Sequence, residues 1–258
     1  MKSRFLPALR LVGLLLLAGL ALQIFFAGRI ALMRLVNLES TAFERSAAVQ
    51  IFRKNGALAG WSQSWLPYAS LPNHLKRAVI ASEDASFALH DGIDMEALEK
   101  AWERNEKANE KAEKAEKAVE AKASSQAAKS LAAKPPKIVG GSTITQQLAK
   151  NLFLSGERTL LRKAQELLIA KQLEWLLSKE RILEIYLNSA EWGVGIFGAE
   201  AAAQHYFRKP AAQLSAYESA RLAVMLPRPQ FFQLRPHSSY LNARANTIVR
   251  RMAQAELP

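Results

Sequence analysis

Cysteine is absent from this chain of 258 residues. Its absence excludes a disulfide scaffold, a thiol nucleophile, an iron–sulfur cluster and a cysteine-based zinc site. Half of the residues are apolar, which is enough for a sizeable core and excludes disorder of the whole chain.

Acidic residues are absent from the first 36 positions, which carry five basic residues, while the whole chain has a net charge of +12. A nucleic-acid-binding protein usually concentrates its positive charge on one folded face. Here much of the excess flanks an apolar segment instead. We therefore predict a membrane as partner and no nucleic acid.

The apolar segment Leu11–Gly28 has eighteen residues without a charge. As a helix it would be about 27 Å long, close to the hydrocarbon thickness of a bilayer. Lys2, Arg4 and Arg10 precede it, which predicts a cytoplasmic N-terminus and export of the remainder. A cleavable signal peptide is the alternative, since Ala18–Ala21 offers small residues, but the longer apolar run favours an uncleaved anchor. Residues 1–36 are thus predicted as cytoplasmic tip and transmembrane anchor, and residues 37–258 as an exported domain.

The exported part is predicted to be mainly α. No segment alternates long enough for a sheet, although residues 37–70 have room for a short strand or two. Apolar spacing and capping residues predict helices over Leu71–Ser82, Thr143–Phe153, Thr159–Asn188 with one break near Ser178, Ala199–Phe207, Ser215–Met225 and Tyr240–Ala255.

Residues 99–137 differ in composition, with eleven Ala, nine Lys and seven Glu. Opposite charges alternate at helical spacing with almost no apolar residue between them, so this stretch cannot bury a core. It is interpreted as a charged insertion that forms either a solvated helix or a linker.

Two groups of residues could carry chemistry. Glu83 and Asp84 follow an apolar helix, with Phe87 and His90 beyond, which suits a general base in a partly apolar cleft, or simply a helix end with a turn. Downstream, polar and basic residues recur at helical spacing near predicted helix starts, where phosphate binds well. These are Thr143, Gln147, Lys150, Arg158, Arg162, Lys163 and Glu166. The alternative is a solvated face with an Arg–Glu pair.

A third pattern is formed by Gly193, Gly195 and Gly198, which spell the dinucleotide-binding sequence G-x-G-x-x-G. That motif needs a preceding strand and a βαβ unit, and the segment before it is predicted to be helical. We therefore do not predict a nicotinamide site.

Read together, these segments resemble the peptidoglycan glycosyltransferases of glycosyltransferase family 51, and most closely its monofunctional, membrane-anchored proteobacterial members. The resemblance spans about residues 60–250 apart from the insertion. Its motifs are EDASFALHDG (Glu83–Gly92), GGSTITQQLAKNLF (Gly140–Phe153), RKAQE (Arg162–Glu166) and RILEIYLN (Arg181–Asn188), followed by Glu191–Phe207.

The resemblance implies a lysozyme-like, mainly α catalytic domain that faces the periplasm and polymerises lipid II at the cell inner membrane. It implies that Glu83 is the catalytic base and that Glu166 assists around the leaving pyrophosphate. It also implies roles in binding the substrate or its pyrophosphate for Thr143, Gln147, Lys150, Arg158, Arg162 and Lys163, and a site-shaping role for Asp84, Phe87 and His90.

The implied partners are lipid II, the growing glycan strand and the membrane, with room for other cell-wall synthesis proteins. No cofactor is obligatory, and a divalent cation, Mg²⁺ or Mn²⁺, could assist at the pyrophosphate; no metal ligand is assigned. A lysozyme-like lytic transglycosylase or muramidase would also use two carboxylates but would not need the cations. A non-catalytic membrane scaffold is the other alternative.

Overall fold

In a computed structural model of the chain, the described residues are 5–122, 141–157 and 159–258. Their α-helices are α1 (Phe5–Leu32), α2 (Ala42–Asn55), α3 (Asn73–Glu83), α4 (Met95–Lys122), α5 (Ile144–Phe153), α6 (Leu160–Leu176), α7 (Lys179–Ser189), α8 (Ala199–Phe207), α9 (Ala216–Met225), α10 (Pro229–Gln233) and α11 (Ser239–Met252). Short strands lie at β1 (Ser62–Gln63), β2 (Glu191–Gly193) and β3 (Ile196–Phe197), and single 3-10 turns at Tyr68–Ser70 and Ala211–Gln213.

The predicted helices are confirmed within a few residues, and the long helical run breaks where it was expected. Thr143, Thr159 and Ser178 each accept a hydrogen bond from a backbone N–H of the first turn, as N-cap residues do, so each marks a helix start. The break between α6 and α7 therefore comes from the cap at Ser178.

Three predictions need correction. Residues 42–55 form α2 with a full capping box between Thr41 and Glu44, in a region where the sequence analysis predicts no helix. Helix α10 was not predicted either. The glycine-rich segment after α7 contains β2 and β3, which pair antiparallel with each other, while β1 adds to β3 in parallel. These strands have two or three residues, too short for an alternating pattern to be visible in the sequence.

The short strands do not make the G-x-G-x-x-G sequence a dinucleotide-binding site. Gly198 precedes α8 with a φ of 83°, and a Cβ there would lie 2.8 Å from the carbonyl oxygen of Asn188, so glycine is required for backbone packing. No strand follows α8 among the described residues, so the βαβ unit that a dinucleotide site needs is absent from that part of the chain.

Two compact units can be distinguished. One comprises residues 1–93 and 143–258, and the other comprises residues 94–142. In the second unit, α4 carries the alternating charges over most of its length and Ala101 as a buried apolar residue. The helical interpretation of the insertion is thus confirmed as far as Lys122, while residues 123–140 lie outside the described part.

The core of the larger unit is built by helices that pack through apolar stripes. Helix α3 contributes Leu75, Val79 and Ile80, all fully buried, and packs on α9 and α11. Helix α5 packs on α6 and α7, and α1 packs on α6. This arrangement places the C-terminal end of α3, with Glu83 and Asp84, beside α5.

Asn188 fastens the segment between α2 and α3 to helix α7. Its side chain is 0% exposed, its Oδ1 accepts from the Leu66 N–H at 2.7 Å, and its Nδ2 donates to the carbonyl oxygens of Leu66 and Glu184, each at 2.8 Å. One amide group therefore satisfies both backbone groups of Leu66 in the interior.

We expect Asn188→Ala to lower the free energy of unfolding by about 3 kcal/mol, because it leaves buried backbone groups without partners and opens a small cavity. Chemical denaturation of the detergent-solubilised chain measures this. Asn55→Ala, at the exposed end of α2, is the matched control and should change the stability by less than about 1 kcal/mol. Equal effects of the two variants would contradict the role of the Asn188 hydrogen bonds in stability.

Candidate functional site

Glu83 is the last residue of α3, and its half-buried carboxylate is hydrogen-bonded to helix α5. The Gln147 Nε2 donates to its Oε2 at 3.0 Å, and the Ser82 hydroxyl donates to its Oε1 at 3.3 Å. Gln147 in turn accepts from the Tyr186 hydroxyl at 3.0 Å. Tyr186 and Gln147 thus form a chain of hydrogen bonds that fixes the orientation of the Glu83 carboxylate.

Burial raises the pKa of Glu83 above the ordinary value of a glutamic acid. The hydrogen bonds from Gln147 and Ser82 lower that pKa, the neighbouring Asp84 raises it, and the positive charge of Arg244 lowers it, but desolvation is the largest cause. Burial also raises the pKa of Tyr186 well above its usual range, so its hydroxyl stays protonated and remains a donor. A carboxylate tuned upward in this way is suited to accept a proton near neutral pH.

Asp84, the next residue in the chain, is buried and connects His90 to the start of α5. Its Oδ1 lies 2.8 Å from the His90 Nε2, and its Oδ2 accepts from the Ile144 N–H at 3.0 Å, at the start of α5. The Gly92 N–H donates to the His90 Nδ1 at 3.1 Å, so the ring proton is on Nε2, which donates a hydrogen bond to Asp84. A carboxylate at a helix N-terminus is favourable, and here it joins the ends of α3 and α5.

Phe87 packs against His90 and is fully buried. Its ring meets the His90 ring edge-on, with 6.5 Å between the centroids, and the Lys179 Nζ lies 4.5 Å from its centroid. The three predicted site-shaping residues, Asp84, Phe87 and His90, are therefore in one packed group next to Glu83.

The face of α5 brings only some of its predicted residues together. Thr143 is buried, caps the helix, and donates through its hydroxyl to the Gly92 carbonyl oxygen at 2.7 Å. Gln147 and Lys150 instead line a cleft of about 200 Å³, in which the Lys150 Nζ lies 5.3 Å from the ring centroid of Phe43. The hydroxyl of Thr143 thus stabilises the local structure, whereas Gln147 and Lys150, one and two turns further along α5, line the cleft.

The second carboxylate, Glu166, is 3% exposed and lies between two cations on the first turns of α6. Its Oε2 accepts from the Arg162 Nη1 at 2.6 Å, and its Oε1 accepts from the Lys163 Nζ. The Lys163 Nζ also donates to the Gln146 Oε1 at 3.1 Å. Both carboxylate oxygens are therefore occupied by positive groups.

Glu83 and Glu166 are connected to adjacent residues of one helix. Gln147 contacts Glu83, and Gln146 contacts Lys163, which contacts Glu166. The spacing of Gln146 and Gln147 points their side chains to different faces of α5. Glu83 and the Glu166 cluster are therefore both tied to the first turn of α5, and Arg158 lies outside the described residues.

Three residues near the site have no role in the sequence analysis. Tyr186 and Glu191 line the cleft with Lys150, and Arg244 of α11 acts on Glu83 by its charge. The Gln230 Nε2 donates to the Glu191 Oε1 at 3.1 Å, and burial raises the pKa of Glu191. Tyr186 lies within the motif Arg181–Asn188 and could have been inferred from it, whereas Arg244 has no local signal in the sequence.

The fold and the site together define a mainly α domain of the glycan-processing class, with two hydrogen-bonded carboxylates, a cleft that contains Lys150 and an N-terminal apolar helix. A family model described as transglycosylase matches residues 54–115 and 114–253. The chain belongs to this transglycosylase family, and its predicted lysozyme-like, mainly α fold class is confirmed.

Curated relatives agree over almost the full length. The chain is 47% identical over 243 residues to a biosynthetic peptidoglycan transglycosylase from Herminiimonas arsenicoxydans, covering 94% of each chain. It is equally 47% identical over 241 residues to proteins of the same name from Burkholderia lata and Burkholderia thailandensis, covering 93% of this chain and 87% and 84% of theirs. The resemblance drawn from the motifs is thereby confirmed.

Proposed function

We propose that this chain is a peptidoglycan glycosyltransferase that polymerises lipid II into β-1,4-linked glycan strands and releases undecaprenyl pyrophosphate. Membership of the transglycosylase family and the name shared by its curated relatives support this. The observation that carries the proposal is Glu83, a carboxylate of raised pKa that is fixed through Gln147 next to the Lys150 cleft.

The reaction follows from the chemistry of that carboxylate. Glu83 takes the proton from the 4-hydroxyl of the acceptor sugar, and the oxygen attacks C1 of the donor. The bond from C1 to the pyrophosphate oxygen breaks, and its electron pair leaves with undecaprenyl pyrophosphate. An α-linked donor gives a β-linked product, so the configuration at C1 is inverted.

Departure of the pyrophosphate needs fixed positive charge, because negative charge develops on the leaving oxygen. Lys150 in the cleft and the Arg162–Lys163 pair on α6 are the cations we assign to this role, and Arg158 joins them by the resemblance alone. Glu166 would act through its two partners by holding Arg162 and Lys163 in place. Thr143 would contribute by fixing the start of α5 rather than by touching the substrate.

Both oxygens of Glu166 already accept from cations, whose positive charge disfavours a divalent ion at this carboxylate. Mg²⁺ or Mn²⁺, if it takes part, would therefore bind through the phosphate oxygens of the substrate. No step above requires it.

Helix α1 supports placement of the enzyme on the membrane that holds its substrate. Leu9–Leu32 is long and apolar enough to cross a bilayer. Lys2, Arg4 and Arg10 favour a cytoplasmic N-terminus, which would put the catalytic domain on the periplasmic side of the cell inner membrane. Lipid II never leaves the bilayer, so this anchor supplies proximity.

Incubating the full chain with purified lipid II, and separately with pre-made glycan strands, tests the proposal. We expect glycan strands to form from lipid II and the pre-made strands to stay intact. Cleavage of the strands without polymerisation would favour a lytic transglycosylase, and inactivity on both would favour a scaffold.

Gln147→Met should move the acid limb of the pH profile of kcat/KM to higher pH. The glutamine N–H stabilises the Glu83 carboxylate and lowers its pKa, so removing it raises that pKa further. Glu83 works as the deprotonated base, and activity is therefore lost as the pH falls through the raised pKa. Gln213→Met, at an exposed position, should leave the profile unchanged. A shift of the acid limb to lower pH in Gln147→Met would contradict the assignment.

A further inference from the structure

A glutamine about two thirds of the way along the apolar helix α1 is hydrogen-bonded to the rest of the chain. The Gln23 Nε2 donates to the Gln165 Oε1 at 3.0 Å, and the Gln172 Nε2 donates to the Gln23 Oε1 at 2.9 Å. Gln165 and Gln172 are seven residues apart, so both lie on one face of α6. We call these three residues the glutamine lock.

An amide in an apolar helix is costly unless its polar atoms are paired. Gln23 uses both its oxygen and its nitrogen toward α6, and it is half-buried there. Only one rotational setting of α1 presents this side chain to both partners. The lock therefore fixes the rotation of α1 as well as its position along α6.

Further contacts of α1 lie on the C-terminal side of Gln23. The ring of Phe26 lies 5.0 Å from the ring of Phe153, and Ile30 and Met33 are buried in the domain core. The Arg181 Nε donates to the Met33 carbonyl oxygen at 2.8 Å. The last third of α1 is thus part of the folded domain.

The portion of α1 before Gln23 has a different character. Its large apolar side chains between Leu9 and Leu22 are exposed. The uncharged stretch Leu11–Gly28, about 27 Å long as a helix, contains Gln23. Ile24 and Phe25 are exposed as well, so the lock lies within the apolar part of α1, on the side that faces α6.

Helix α6 links the lock to the proposed chemistry. Gln165 is adjacent to Glu166, and the cations Arg162 and Lys163 lie one turn before. A polyprenyl substrate is confined to the bilayer, so its pyrophosphate lies at a set height above the hydrocarbon. A catalytic group tied rigidly to the anchor would meet it at that height.

We propose that the glutamine lock is a positioning device: it holds α6, and with it the Glu166–Arg162–Lys163 cluster, at one depth and one orientation relative to the membrane. This role rests on the proposed function, because it requires a substrate embedded in the same bilayer. The anchor then contributes geometry to catalysis in addition to attachment.

Cross-linking tests the contact directly, because the chain has no cysteine of its own. In vesicles, a short bismaleimide should join Gln23→Cys to Gln172→Cys in high yield. The control pair carries Phe25→Cys with Gln172→Cys, and its first cysteine lies about 200° around α1 from Gln23. We expect little cross-link in the control, and equal yields for the two pairs would overturn the proposal.

Polymerisation tests the positioning role. Gln23→Leu keeps α1 apolar, and we expect it to polymerise lipid II in vesicles about tenfold more slowly than the wild type. In detergent micelles, which impose no fixed plane, the loss should be less than about twofold. Phe25→Leu is the matched control and should behave as wild type in both.

Cross-linked Gln23→Cys/Gln172→Cys should recover the vesicle rate that the untreated double variant lacks. If Gln23→Leu lost activity equally in vesicles and in micelles, the effect would be merely structural and the positioning role would be overturned. Wild-type activity of Gln23→Leu in vesicles would overturn that role as well. A wild-type chain that forms no glycan would overturn the proposed function and the positioning role together, while the cross-link yield would still decide the contact.

Discussion

Glu83→Gln is expected to abolish glycan polymerisation from lipid II, with a fall in rate of at least about 1000-fold, while the chain stays folded. The amide keeps the shape of the side chain and can still meet Gln147, but it cannot take a proton from the acceptor hydroxyl. The rate of lipid II consumption measures the first effect, and circular dichroism measures the second.

Stability provides a second readout for the same variant. Burial raises the pKa of Glu83 in the folded chain, so its ionised form at neutral pH destabilises the fold, and this cost disappears as the pH falls through the raised pKa. Glu83→Gln removes the charge, and its melting temperature at neutral pH should therefore equal or exceed that of the wild type. Glu256→Gln, exposed near the C-terminus, is the matched control and should retain full activity. Undiminished polymerisation by Glu83→Gln would exclude this residue as the base.

Glu166→Gln should have the second largest effect, on stability and on activity together. The neutral amide leaves Arg162 and Lys163 without their counter-charge beside a buried position, which we expect to cost about 3 kcal/mol of unfolding free energy. The two cations would also lose their fixed geometry, so polymerisation should fall by about 100-fold under conditions where the variant is fully folded.

Glu174→Gln separates the two consequences, because Glu174 lies on the same helix in a similar setting. Its carboxylate is buried, pairs with the Lys179 Nζ at 2.8 Å, and accepts from the Thr145 hydroxyl at 2.6 Å. We expect a comparable loss of stability from this variant but a loss of activity below about tenfold. If both variants lowered activity equally, the role of Glu166 would be structural alone.

Much of the fold follows from local signals in the sequence. The apolar length of α1, the caps at Thr143, Thr159 and Ser178, and the apolar spacing along α3 each act over a few residues, so they can be recognised without a structure. Helix α2 is not predicted although its Thr41–Glu44 capping box is a local signal, whereas β1 lies within residues 37–70, where a short strand or two is expected. Strands β2 and β3 are too short for a recognisable pattern. Residues 62–63 are extended because they pair with β3, more than 130 positions further along the chain.

The site divides in the same way. The order of the motifs was sufficient to name Glu83, Glu166 and the basic residues as candidates, since those residue types at those spacings suit transfer from a pyrophosphate. The sequence alone did not reveal that the Thr143 hydroxyl donates to the Gly92 carbonyl oxygen, or that Arg244 acts on Glu83. Both depend on which segments meet in space.

The sequence by itself therefore determined the class of fold, the apolar N-terminal helix and the family, because each is encoded in residues close together or in ordered motifs. Only the tertiary structure decided the environment of each charge: Glu83 desolvated beside Gln147, Glu166 enclosed by two cations, and Gln23 paired with α6. Burial and hydrogen bonding set the pKa and the direction of a side chain, and both arise from residues that are distant along the chain.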